Sequence, residues 1–190
     1  KTIFNNDKRK CINCDQISYS GNDYPSLKND YKEVFSPQTA YQMTSILEGV
    51  IQRGTGKKLK KLKLNIAGKT GTTNKNTDTW FIGFTSNLLI GVYVGSDNPI
   101  SLGRYETGSK TALPIFRDFV SKTVKKKDAR PFKAPEGTVM MVVDPITGQK
   151  ANFTSKNTII EVYKEKNVLD GEVLYSNTDR LDTNNILKFY

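Results

Sequence analysis

Four consecutive residues concentrate the chemistry in this 190-residue chain: Lys69, Thr70, Gly71 and Thr72. On an extended strand, Lys69 and Gly71 point to one face and Thr70 and Thr72 to the other. The Lys ammonium and the Thr hydroxyls can hold a carboxylate. A backbone N–H at Thr72 can point at a developing oxyanion. Gly71 leaves room for a ligand beside the backbone. If the strand is an edge, its free N–H and C=O groups can also pair with an extended peptide. The set suits an acyl donor that carries a carboxylate. The triplet Lys-Thr-Gly alone is weak, because it also arises by chance as a turn on a surface strand.

Composition removes most other chemistries. The chain has no histidine, which excludes Ser-His-Asp triads, His acid–base catalysis and most zinc sites. Proton transfer falls to Lys, Tyr or carboxylates. The two cysteines, Cys11 and Cys14, cannot supply four zinc ligands, and no βαβ setting accompanies them for a thioredoxin-type pair. A local disulfide or two free thiols remain, and a disulfide would imply an oxidising compartment. No metal or cofactor is expected. Arg53-Gly54-Thr55-Gly56 lacks the spacing and the Lys-Ser/Thr ending of a phosphate loop. The net charge of +10 favours anionic partners. Yet the charge is scattered and no nucleic-acid motif accompanies it, so nucleic acid is not an expected partner. Five lysines in residues 57–63 read as a solvated loop leading into a strand rather than a polymer or membrane patch. No run approaches the ~18 apolar residues of a membrane span. Residues 1–10 are polar and do not read as a signal peptide. The first residue is not Met, and the chain is expected to be a piece of a longer protein.

The elements that must position Lys69–Thr72 follow from periodicity. Residues 1–33 read as an irregular lead-in with Asn, Gly, Asp and Pro turns. Ser36-Pro37 opens a helix, since serine caps and proline suits its first position. Met43, Ile46, Leu47, Val50 and Ile51 give it one apolar face, and Gly54 and Gly56 stop it. Leu62, Leu64 and Ile66 alternate as a strand would and run into the tetrad. Residues 79–85 and 88–94 are two further strands, which with the first make an antiparallel meander. Both are apolar on both faces, so helices should cover the sheet. Thr111 opens a second helix with a buried stripe of Ile115, Phe116, Phe119 and Val120, and its closing lysines complement the helix dipole. Residues 137–143 form a β-like run before the turn Asp144-Pro145-Ile146-Thr147-Gly148. The remainder reads as a peripheral tail of short strand-like pieces.

Longer matches carry a family. Ile66-Ala67-Gly68-Lys69-Thr70-Gly71-Thr72-Thr73, then Asp78-Thr79-Trp80-Phe81-Ile82-Gly83-Phe84-Thr85, then Ile90-Gly91-Val92-Tyr93-Val94-Gly95 closely resembles the end of the transpeptidase domain of class A penicillin-binding proteins. Residues 37–54 resemble that family's preceding helix, and residues 108–120, with Ala112-Leu113-Pro114-Ile115-Phe116, its C-terminal helix. The Lys-Thr-Gly box is among the signatures of penicillin-recognising enzymes. The resemblance spans residues 35–148.

The resemblance implies a bifunctional cell-wall synthase on the periplasmic face of the bacterial inner membrane, anchored by a segment outside this chain. One domain polymerises glycan. The other cross-links peptide stems through an acyl-serine, which β-lactams also form. Lys69, Thr70, Gly71 and Thr72 would bind the donor, and Thr72 would lend its N–H to the oxyanion hole. The expected partners are stem peptides, β-lactams and an upstream part of the same polypeptide. The implied fold is mixed α/β (α+β): an antiparallel sheet covered by helices, a partial serine β-lactamase/transpeptidase-like fold. Residues 34–130 would be the C-terminal part of the domain and 131–190 an extension.

The departure from the family pattern is definite. The chain has no Ser-x-x-Lys nucleophile motif. Ser96-Asp97-Asn98 spells a Ser-x-Asn motif but follows the box instead of preceding it, and Ser20-Gly21-Asn22 precedes it too closely. The chain alone is therefore expected to resist acylation. With strands missing, it is also expected to expose sheet edges and to self-associate. The alternative function is a non-catalytic module that binds peptidoglycan or a cell-wall partner.

Overall fold

A computed structural model describes residues 9–15, 24–28, 32–98, 100–153 and 155–168, with the backbone of 175–176. Ser20-Gly21-Asn22 lies outside the described residues. The chain divides into two compact units, Lys1–Ser36 and Pro37–Tyr190.

In the first unit, β1 (Lys10–Ile12) pairs antiparallel with β2 (Ser26–Lys28), and Cys11 sits opposite Leu27. Cys11 and Cys14 are joined as a disulfide across a turn in which Asn13 takes φ 62°. Asn tolerates that left-handed conformation better than most residues.

The second unit opens with α1 (Pro37–Gln52), whose end is closed by Arg53 N–H to Gly49 O (2.9 Å) and Gly54 N–H to Val50 O (3.0 Å). Its expected apolar face is only partly used. Ile51 is buried, whereas Met43 and Ile46 are each 52% exposed. At 100° per residue the five apolar side chains span a wide arc, and the core reaches only its Ile51 edge.

Residues 57–62 form a 3₁₀ helix, not the expected start of a strand. Leu59 is fully buried and Leu62 packs beside it, the three-residue repeat of that helix. Lys63 then turns at φ 54°, and the strand begins only at Ala67.

The sheet is β3 (Ala67–Thr72), β4 (Thr79–Phe84) and β5 (Leu89–Val94), antiparallel in that order, with Lys69 opposite Ile82 and Trp80 opposite Tyr93. The expected meander is present. α2 (Ala112–Thr123) lies across β4 and β5, and α1 packs against β3. Phe81 and Phe116 meet edge-to-face at 4.7 Å in a core with Ile51, Leu59, Ile66, Leu113 and Val120. The buried stripe of α2 is Ala112, Leu113, Phe116 and Val120. Ile115 and Phe119, expected in that stripe, lie on its flank and are half exposed. Among the described residues the helices cover one sheet face. On the other, Ile82 is 48% and Leu89 68% exposed, beside Trp80 and Tyr93.

A second antiparallel sheet follows, from β6 (Thr138–Val143), β7 (Ile159–Lys164) and β8 (Tyr175–Ser176), in the order β7-β6-β8. The Asp144 carboxylate accepts the Ile146 N–H (2.8 Å) in the expected turn, which Gly148 ends at φ 70°. This sheet is not a loose tail. It buries Val139, Met141, Val143 and Val162, and α1 holds it through Gln42 Nε2 to Val162 O (3.0 Å), Gln38 Nε2 to Glu136 O (2.8 Å) and the Arg53–Glu161 ion pair (2.7 Å).

Candidate active site

β3 is an edge strand of its sheet among the described residues. Lys69 lies opposite Ile82 and Gly71 opposite Trp80, on the face the helices leave open. Thr70 and Thr72 lie opposite Phe81 and Thr79, on the covered face. The alternation expected from the letters is therefore the alternation observed.

The Lys69 ammonium donates to Thr70 O (2.9 Å) and Thr70 Oγ1 (3.4 Å). A carbonyl reached that way belongs to the strand's free edge. In an antiparallel strand the N–H and C=O of one residue share a direction, which returns two residues later. Thr72 N–H therefore also points to that edge. The intervening parity turns inward, as Thr73 N–H to Asp78 O (3.0 Å) shows. Lys69 has no ion-pair partner among the described residues. One ammonium, one edge carbonyl and one edge N–H thus line a single margin, which suits a carboxylate followed by an acyl carbon.

Neighbours distant in sequence fix the two threonines. Thr70 Oγ1 lies 3.0 Å from Thr55 Oγ1, in the turn that ends α1. Thr72 Oγ1 accepts the Gly108 N–H at 3.1 Å. A Cβ on residue 108 would collide with the Trp80 and Gly71 carbonyl oxygens, so only glycine can approach the sheet there. The β3–β4 turn closes on Asp78. Its carboxylate accepts from Tyr93 OH (2.7 Å) and Thr77 Oγ1 (2.9 Å), and its N–H donates to Thr73 Oγ1 (2.8 Å). The Tyr93 hydrogen bond, followed by those from Thr77 and Thr73, holds the Asp78 carboxyl below the usual carboxylate range. The same bond, with desolvation and the charges of Asp78 and Asp97, raises the Tyr93 phenol.

Thr55, Gly108 and Asp78 were not among the residues expected at the site. Thr55 and Gly108 act through contacts 15 and 36 residues away, which no local pattern announces. Ser96-Asp97-Asn98 follows β5, at the opposite side of the sheet from β3. The Cys11–Cys14 pair belongs to the first unit. Among the described residues no group of three His, Cys, Asp or Glu side chains could hold a metal ion, and no helix is long and apolar enough to cross a membrane.

Known proteins are similar to this chain. Residues 2–121 match the model of the penicillin binding protein transpeptidase domain. Penicillin-binding protein 1A of Rickettsia felis is 42% identical over 187 residues, which is 96% of this chain and 23% of that protein. Its counterpart in Pseudomonas aeruginosa is 40% identical over 136 residues, 71% of this chain and 16% of that protein. The crystal structure of penicillin-binding protein 1A from Haemophilus influenzae superposes with a TM-score of 0.62 at 30% identity, covering 70% of this chain and 22% of that one. The chain thus spans about a quarter of the length of such relatives, with the mixed helix and antiparallel-sheet fold expected from its sequence. A match over residues 2–121, which includes the Lys69–Thr72 strand, shows that the chain belongs to the penicillin-binding protein transpeptidase family.

Proposed function

We propose that this chain is the C-terminal part of the D,D-transpeptidase domain of a class A cell-wall synthase, and that β3 is its donor-binding strand. Residues 34–130 supply the domain and 131–190 an extension of it. Lys69 and Thr70 hold the terminal carboxylate of a stem peptide, Gly71 lets it approach, and Thr72 N–H steadies the oxyanion. The attacking serine comes from a part of the polypeptide outside this chain. Its oxygen adds to the penultimate D-Ala carbonyl, the terminal D-Ala leaves with a proton, and an amine of a second stem takes the acyl group and releases the serine. A β-lactam enters the same cycle and stalls at the acyl-serine. A linked glycosyltransferase domain polymerises the glycan, and an anchor outside this chain holds the protein at the periplasmic face of the inner membrane.

One observation supports this reading above the others: Lys69 stands on the open face of an edge strand whose free carbonyl it touches at 2.9 Å. Removing that cation tests it. A charge-assisted hydrogen bond contributes about 1.5–3 kcal/mol, so Lys69→Ala in the whole protein should slow labelling by a fluorescent penicillin by roughly 10- to 100-fold. Labelling at the native rate would refute the donor-binding role. Stem-peptide binding that survives Lys69→Ala would instead favour a module that binds without catalysis.

A further inference from the structure

We propose that Asn76 is a positioning residue for the β3 edge, acting from behind the strand through the loop of residues 102–108. The side-chain amide of Asn76 donates to three carbonyls of that loop: Gly103 O (3.2 Å), Arg104 O (3.2 Å) and Glu106 O (2.9 Å). All three neighbours are acceptors, which fixes the amide nitrogen on that side. The main chain adds to the grip. Asn76 O accepts Leu102 N–H (2.8 Å), and Asn76 N–H donates to Thr73 O (3.1 Å). One residue therefore joins the β3–β4 turn to the whole 102–106 segment.

That segment leads directly to Gly108, whose N–H reaches Thr72 Oγ1 at 3.1 Å and where an added Cβ would collide with the Gly71 and Trp80 carbonyl oxygens. Gly108 O in turn accepts the Leu113 N–H (2.8 Å) in the first turn of α2. The connection runs from Asn76 through the loop to Gly108, and from Gly108 to Thr72. Thr72 is the residue whose N–H faces the free edge. Displacing the loop releases Thr72 on its covered side and lets its N–H swing, while Lys69 and Thr70 keep their own supports. The inference rests on the donor-binding reading for its consequence, but the clamp itself stands on hydrogen bonds within this chain.

A simpler role for Asn76 is to tolerate the left-handed turn, where it takes φ 54°. Glycine takes that conformation at no steric cost, so Asn76→Gly separates the two roles. In the whole protein, the clamp predicts that Asn76→Gly lowers the saturating acylation rate by a fluorescent penicillin at least ~10-fold, because a misplaced oxyanion donor loses transition-state stabilisation. The non-covalent dissociation constant, set by Lys69, should stay within about threefold. Asn76→Asp keeps the turn and the shape but faces carbonyls with a carboxylate, and should show the same split. A saturating rate within twofold of native for Asn76→Gly overturns the proposal. So does global unfolding of both variants, which would make Asn76 a stability residue only.

Hydrogen exchange reads the clamp without acylation. The Gly108 amide should exchange at least ~10-fold faster in Asn76→Gly, with β4 and β5 amides unchanged. Native protection at Gly108 overturns the clamp. Failure of the native protein to acylate would defeat the donor-binding reading, and the exchange result would then judge the clamp alone.

Discussion

At the scale of single residues, chemistry was readable where it depends on alternation and hidden where it depends on contact. Lys69 and Gly71 face one way and Thr70 and Thr72 the other because a strand has period two, and the letters suffice for that. Gly108 has no side chain to announce a role, yet it is the place where a loop touches the sheet. Glu48 was equally silent. Its burial on α1 pushes its carboxyl up to about 7. A raised folded-state value means that the native protein holds a proton the unfolded chain has lost. The resulting stability is complete below about pH 4.5 and disappears as pH rises through about 7. Glu48→Gln should flatten that fall and stabilise the domain at pH 8 by about 2 kcal/mol, read as the pH dependence of its melting temperature. An unchanged profile would contradict the burial account.

At the scale of elements, α1, α2 and the three-stranded meander were legible because each repeats its own period for two or more turns or alternations. The start of β3 was not. Leu62, Leu64 and Ile66 alternate like a strand, but Leu59 and Leu62 satisfy a 3₁₀ turn first, and core burial of Leu59 decided between them. The helix faces were overestimated for a related reason. Hydrophobicity marks what some partner covers, and Met43, Ile46, Ile115 and Phe119 are only about half covered among the described residues. The contact between the 102–108 loop and the sheet sets a sharp limit on change. Gly108→Ala places a methyl against two carbonyl oxygens and should destabilise the domain by about 1–3 kcal/mol, a melting shift of several degrees. Differential scanning calorimetry checks it, and native stability in that variant would show that the loop is free to move aside.

At the scale of the whole molecule, the second sheet shows what sequence patterns leave out. Val139 pairs with Tyr163 and Val143 with Ile159, across a register that no local period encodes. One face of the first sheet is left uncovered among the described residues. Trp80, Ile82, Leu89 and Tyr93 form a contiguous apolar stripe there, the kind of surface that promotes association. The isolated 190-residue chain should therefore self-associate in light scattering, and Ile82→Thr with Leu89→Ser should reduce it. A clean monomer with a cooperative melt would count against that.

We propose that this chain grips the acyl donor while another segment of the polypeptide attacks it. Peptide mapping of the whole protein after reaction with a fluorescent penicillin tests that division of labour most directly. The expected result is a single covalent adduct on a serine outside residues 1–190. An adduct on any serine within them would contradict it.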